Sequence, residues 1–117
     1  MTDISLNLVV IRSANAERAV HFYNLLGLNF TLHRHGQSPE HYACELGQIV
    51  FEIYPTTQTQ DVTAIRIGFQ VNSLDSLVII LREHQIPFIT HPTDSPWGRR
   101  AVVADPDGHR VELVERK

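Results

Sequence analysis

With 117 residues, 43% of them hydrophobic and 20% charged, the chain has the composition of one compact globular domain and not of a disordered segment. A net charge of −3 offers no basic surface to nucleic acid, and no apolar run approaches the length needed to cross a bilayer. The start MTDISLNLVV lacks the basic region and cleavage site of a secretory signal, and Cys44 alone makes no internal disulfide, so a cytoplasmic protein is expected.

Residues 4–11 (ISLNLVVI) read as a buried strand. A helix follows, with Asn15 as N-cap, Glu17 in the first turn and Gly27 closing the end; Ala16, Ala19, Val20, Tyr23 and Leu26 give it one apolar face. Strand-like segments come next near 28–34, 41–46 and 48–54, the last two divided by a turn at Gly47. The polar stretch 55–61 (PTTQTQD) reads as a linker. Beyond it lie a strand at 63–71 and a helix capped by Ser73 with Leu74, Leu77, Val78 and Leu81 on one face. Further strands are expected at 88–90, 99–104 and 109–114.

The same order thus occurs twice. Asn15 matches Ser73 at one constant separation that also aligns Leu28 and Phe30 with Ile86 and Phe88, and Glu52 falls opposite Glu112. Self-similarity of this period implies two copies of one βαβββ unit, about 4–54 and 63–115. A four-stranded unit with one helix leaves a sheet face uncovered. The expected fold is therefore α+β: two βαβββ repeats forming a curved eight-stranded mixed sheet, helices on the outer face and a concave cavity on the other.

Two segments carry a family resemblance. Residues 14–28 (ANAERAVHFYNLLGL) combine an Asn cap, a Phe-Tyr pair and a Leu-Gly end. Residues 95–115 (SPWGRRAVVADPDGHRVELVE) combine a Trp-Gly entry, an Asp-Pro-Asp-Gly turn and a Glu on the final strand. Together with the repeat they resemble the vicinal-oxygen-chelate family, the fold shared by glyoxalase I, extradiol dioxygenases and bleomycin-resistance proteins. The turn residues themselves are structural: Pro106 fixes φ, Asp105 supports the backbone and Gly108 accepts a positive φ.

The resemblance implies four metal-ligand positions on the cavity face, normally His, Gln or Glu holding Zn, Ni, Mn or Fe. Registered on the helix and the hairpin, they fall here at Leu8, Glu52, Arg66 and Glu112. Glu52 and Glu112 are acceptable oxygen ligands, Leu8 has no donor atom, and Arg66 would repel a cation. No metal is expected, and the alternative is a divalent ion held through the two glutamates. Arg66 between two carboxylates is read first as a structural replacement of the cation and second as an anchor for an anionic or carbonyl group of a ligand.

His33 and His35 share one strand face with His41 soon after, but Arg34, Gly36 and Gln37 make this region read as a solvated hairpin end. The expected function is binding of a small, partly apolar molecule, as bleomycin-resistance proteins sequester their drug. Leu8, Val10, Val50, Tyr54 and Gly68 would face that cavity, with Trp97 at its rim and Glu52, Arg66 and Glu112 supplying polarity. The competing readings are a metal-dependent lyase or dioxygenase with an altered ligand set, and metal-free catalysis with Glu52 or Glu112 as general base. The repeats pair within one chain or between two, and a homodimer is expected from the family's habit.

Overall fold

The computed structural model describes residues 3–34, 36–37 and 39–116. They form two compact units, 1–58 and 59–117, each folded around its own sheet and helix. The eight strands form two four-stranded mixed sheets and not a closed barrel.

The first unit runs β1 (Leu8–Ser13), α1 (Ala16–Leu25), β2 (Thr31–His33), β3 (His41–Leu46) and β4 (Ile49–Pro55), with sheet order β1-β4-β3-β2. β1 pairs parallel with β4, whereas β4–β3 and β3–β2 are antiparallel. Asn15 caps α1 as its side-chain oxygen accepts from the Arg18 amide at 3.1 Å, satisfying one of the orphan donors of the first turn. Gly27, at φ +106°, supplies the left-handed residue that turns the chain out of the helix. Alternation then sorts β4: Phe51 and Ile53 are buried on the helix side with Ile11 and Cys44, against Ala19, Phe22 and Tyr23 of α1. The Tyr23 ring meets Phe22 and Phe51 edge-on at 4.8 and 5.1 Å. Phe22 therefore joins the buried stripe, while Ala16, Val20 and Leu26 are only half-buried.

The second unit repeats the plan: β5 (Arg66–Gln70), α2 (Leu74–Glu83), β6 (Phe88–Ser95), β7 (Gly98–Ala104) and β8 (Arg110–Arg116), ordered β5-β8-β7-β6. Leu74, Leu77, Val78 and Leu81 bury the expected face of α2, with Ala101, Val103, Val111 and Leu113 forming the rest of that core. Ser73 caps α2 by accepting from the Ser76 amide, and Glu115 of β8 adds a carboxylate that accepts from the Leu74 amide at 2.7 Å. Arg99 bridges β7 to α2 through Asp75 at 3.0 Å and also meets Asp94, and these hydrogen bonds hold its guanidinium above its ordinary value. Ahead of the first strand, the Thr63 hydroxyl and amide bond Asp61 and hold its carboxyl below the usual range.

The turn before β8 is a buried polar knot. Asp105 accepts from the His109 ring at 2.8 Å and from the amides of Asp107 and His109 at 3.0 and 2.9 Å. Gly108 takes φ +94°, as the sequence required of it.

Several boundaries differ from expectation, β2 spanning Thr31–His33 and β5 Arg66–Gln70 where longer strands were expected. β1 begins at Leu8 and not at residue 4, because its partner β4 begins only at Ile49 and the ladder opens with the Val50 amide donating to Asn7 O at 2.9 Å. β6 runs on to Ser95 through Pro92, which removes one ladder donor. It is tolerated because β6 is an edge strand and its pairing with β7 is irregular there.

Candidate functional site

Each unit covers one sheet face with its helix, so the opposite face is where a ligand would meet side chains. In the first unit the register pairs Leu8 with Val50 and Val10 with Glu52, and pairing places partners on the same face. Leu8 and Val10 are exposed. Val50 and Glu52 line a cavity of about 610 Å³ together with Thr31, His33, Ala43 and Glu45. Tyr54 lies two residues along β4 and takes part in a different arrangement. One planar group from each strand is stacked across the sheet: His33 on His41 (6.0 Å), His41 on Tyr54 (4.2 Å, 6° between planes), and the Arg12 guanidinium 5.5 Å from the Tyr54 ring.

His41 corrects the expectation of a solvated hairpin end. It is 1% exposed, because its ring is covered by Tyr54; its Nδ1 donates to Pro39 O at 3.3 Å and its Nε2 lies 3.4 Å from Glu52. His33 is half-buried. His35 lies outside the described residues.

In the second unit the register sets Gly68 opposite Glu112 on β8, and Val102 of β7 opposite the same glutamate. Glu112 Oε1 accepts from Arg100 Nε at 3.0 Å and Nη2 at 2.6 Å. Arg66 Nη1 stands at 3.6 Å, close enough for attraction but not for a good hydrogen bond. The Arg66 side chain is 58% exposed against 19% for Arg100, so neutralisation of Glu112 falls to Arg100. A cavity of about 480 Å³ lies on this face, lined by Gly68, Gln70, Trp97, Glu112, Val114 and Arg116 among others. Trp97 is 63% exposed. An added Cβ at Gly68 would meet nothing nearer than Glu112 Oε2 at 4.0 Å, so the missing side chain leaves that oxygen uncovered.

Arg100 is the residue that sequence reasoning missed. The signal was present: counting back through the Asp-Pro-Asp-Gly turn pairs Val102 with Glu112, and alternation puts Arg100 on that same face. Within the described residues, the group whose donor atoms converge at metal-binding distance is Asp105, Asp107 and His109. There the Asp105 carboxylate already accepts from the His109 ring and two amides.

Searching the curated proteins gives no match. Among solved structures, TnmS3, an antibiotic binding protein from Streptomyces sp. CB03234, is 20% identical with a TM-score of 0.80, covering 100% of both chains. A glyoxalase/bleomycin resistance protein from the same organism is 21% identical with a TM-score of 0.74, over 95% of this chain and 100% of that one. A glyoxalase/bleomycin resistance protein/dioxygenase family enzyme from Burkholderia phytofirmans PsJN is 17% identical with a TM-score of 0.75, over 97% and 100%. At such identities these likenesses concern the fold. The family model of the glyoxalase/bleomycin resistance protein/dioxygenase superfamily matches residues 5–113, and with its two βαβββ units this chain belongs to that superfamily.

Proposed function

We propose that the chain is a small-molecule-binding protein that takes a partly apolar ligand on its open strand faces without a metal. The observation that carries the reading is the second unit's cavity: Gly68 leaves Glu112 Oε2 uncovered, with the indole of Trp97 and the aliphatic Val114 in the same wall. A few oriented polar atoms in a mixed apolar wall, at about 480 Å³, suit a ligand of drug-like size. TnmS3, an antibiotic binding protein of like fold, makes sequestration a reasonable model.

Donor chemistry supports the metal-free part. At the family's ligand positions Leu8 offers no donor, Arg66 is a cation, and Glu112 is engaged by a guanidinium, so this set does not fit a divalent ion. A metal-dependent lyase or dioxygenase is the second reading, and what favours it is the nitrogen–oxygen pair of His41 and Glu52, 3.4 Å apart. Titrating tag-free protein with neutral and anionic naphthalene probes by calorimetry, before and after EDTA, separates the two. Saturable binding of at least one probe, unchanged by EDTA, is expected; binding that EDTA abolishes, or stoichiometric Zn, Ni, Mn or Fe in the purified protein, would favour the enzyme.

The same reading includes a cytoplasmic homodimer. Ile4, Leu6, Leu8 and Val10 are exposed at alternate positions leading into β1, an edge strand, and a second copy of the chain is the partner proposed to cover them. No helix among the described residues is long and apolar enough to cross a membrane. Light scattering at micromolar concentration should give twice the chain mass. A monomeric mass would overturn the dimer, and Leu6→Asp should shift the protein toward the monomer.

A further inference from the structure

The strand face of the second unit is positively charged, although the chain as a whole is −3. Residues paired in register share a face, so Arg66, Arg110 and Arg116 lie on the Glu112 side of the sheet, and Arg100 reaches the same carboxylate from β7. Glu112 is the carboxylate these strands set against them, and Arg100 takes it with two short hydrogen bonds. Arg110 donates to Gly108 O at 3.2 Å. Arg66 is left with a single loose approach, and the guanidinium of Arg116, exposed in the cavity wall, makes no hydrogen bond or ion pair among the described residues. Positive charge on this face therefore exceeds what the described residues of the second unit neutralise. In the first unit the cavity wall has the opposite character, with Glu45 and Glu52 and no arginine.

Arg116 stands opposite Gly98, the residue after Trp97, so the unengaged guanidinium and the exposed indole belong to one end of the cavity. Gly68 and Glu112 Oε2 mark another part of the wall. We propose that this face recognises a planar aromatic anion, its ring against Trp97 and Val114 and its carboxylate or sulfonate held by Arg116. Arg66 adds to the favourable field, and Glu112 Oε2 accepts from any hydroxyl at the far end of the ring. A guanidinium suits this task because its planar fork binds a carboxylate through two parallel hydrogen bonds. The proposal rests on the ligand-binding reading above and specifies its ligand.

The test is calorimetric titration of the intact protein with 2-naphthoate, neutral 2-naphthylmethanol and cationic 2-naphthylmethylammonium, which differ mainly in charge. Naphthoate is expected to bind about tenfold more tightly than the alcohol, the scale of one good charge-assisted contact. Arg116→Gln should remove that preference and leave the alcohol unchanged, with Arg66→Gln having a smaller effect and Arg12→Gln, in the first unit, none. Melting temperatures confirm that the exposed-site variants remain folded. Equal binding of naphthoate and alcohol would overturn the anion inference while leaving ligand binding standing. Preference for the ammonium compound would overturn it in favour of recognition led by Glu112. Binding of none of the three would count against both readings.

Discussion

Asp105→Ala is expected to destabilise the protein by about 3 kcal/mol, the scale of leaving several buried donors without their shared acceptor. The carboxylate is fully buried and is the common acceptor of the His109 ring and of two turn amides. Deleting it leaves three donors without an acceptor in a place that water does not reach easily, and each such group carries its own desolvation cost. Asp105→Asn keeps one oxygen for the amides and should lose less, about 1–2 kcal/mol. Urea unfolding followed by circular dichroism measures both. A loss below about 1 kcal/mol for the alanine variant would mean that the turn is held by its backbone and Gly108 rather than by Asp105.

In the first unit the largest effect should come from Phe51→Ala, about 4 kcal/mol, as for other phenylalanines removed from a packed core. Phe51 is 2% exposed and lies at the centre of the aromatic cluster, 5.1 Å from the Tyr23 ring and 6.1 Å from Phe30. The two neighbouring rings cannot close the space without leaving their own rotamers, so most of the cavity should persist. Phe51→Leu, which keeps much of the volume, is expected to cost about 1–1.5 kcal/mol. The same urea titration checks both, and equal losses for the two variants would contradict a cavity origin.

The elements that could be read from sequence are those fixed by short-range rules. The stripe of Leu74, Leu77, Val78 and Leu81 and the caps at Asn15 and Ser73 depend on spacing within one turn of helix, and each lies where spacing put it. The internal repeat gave the shared order of the two sheets for a similar reason, since one pattern folded twice makes one topology twice. What escaped depends on cross-strand neighbours. His41 looked solvated because its chain neighbours are polar, but its environment is set by Tyr54 on the next strand. Arg66 looked like the partner of Glu112 because both occupy ligand positions of the family. Arg100 wins the carboxylate through a diagonal contact between antiparallel strands, which a single-residue register of positions does not reveal. The strand expected at 88–90 stopped short of residues 91–95, which continue it as an edge strand, where the donor missing at Pro92 costs little.

Each unit pairs its first strand with its last in parallel, β1 with β4 and β5 with β8. That pairing has a consequence for synthesis. As the chain leaves the ribosome, α1 can form from local contacts alone, but residues 8–13 have no partner until 49–55 have emerged. At ordinary translation rates that interval is on the order of a few seconds, far longer than helix formation. During it, the apolar stretch Leu8–Ile11 lacks its ladder partner, and Ile11, which the folded unit buries, is open to water; such segments are held by chaperones and aggregate otherwise. The pace of elongation, and the occupancy of nascent-chain chaperones, should therefore bear on the yield of folded protein, and the wait recurs in the second unit, where 66–70 find no partner until 110–114 have emerged.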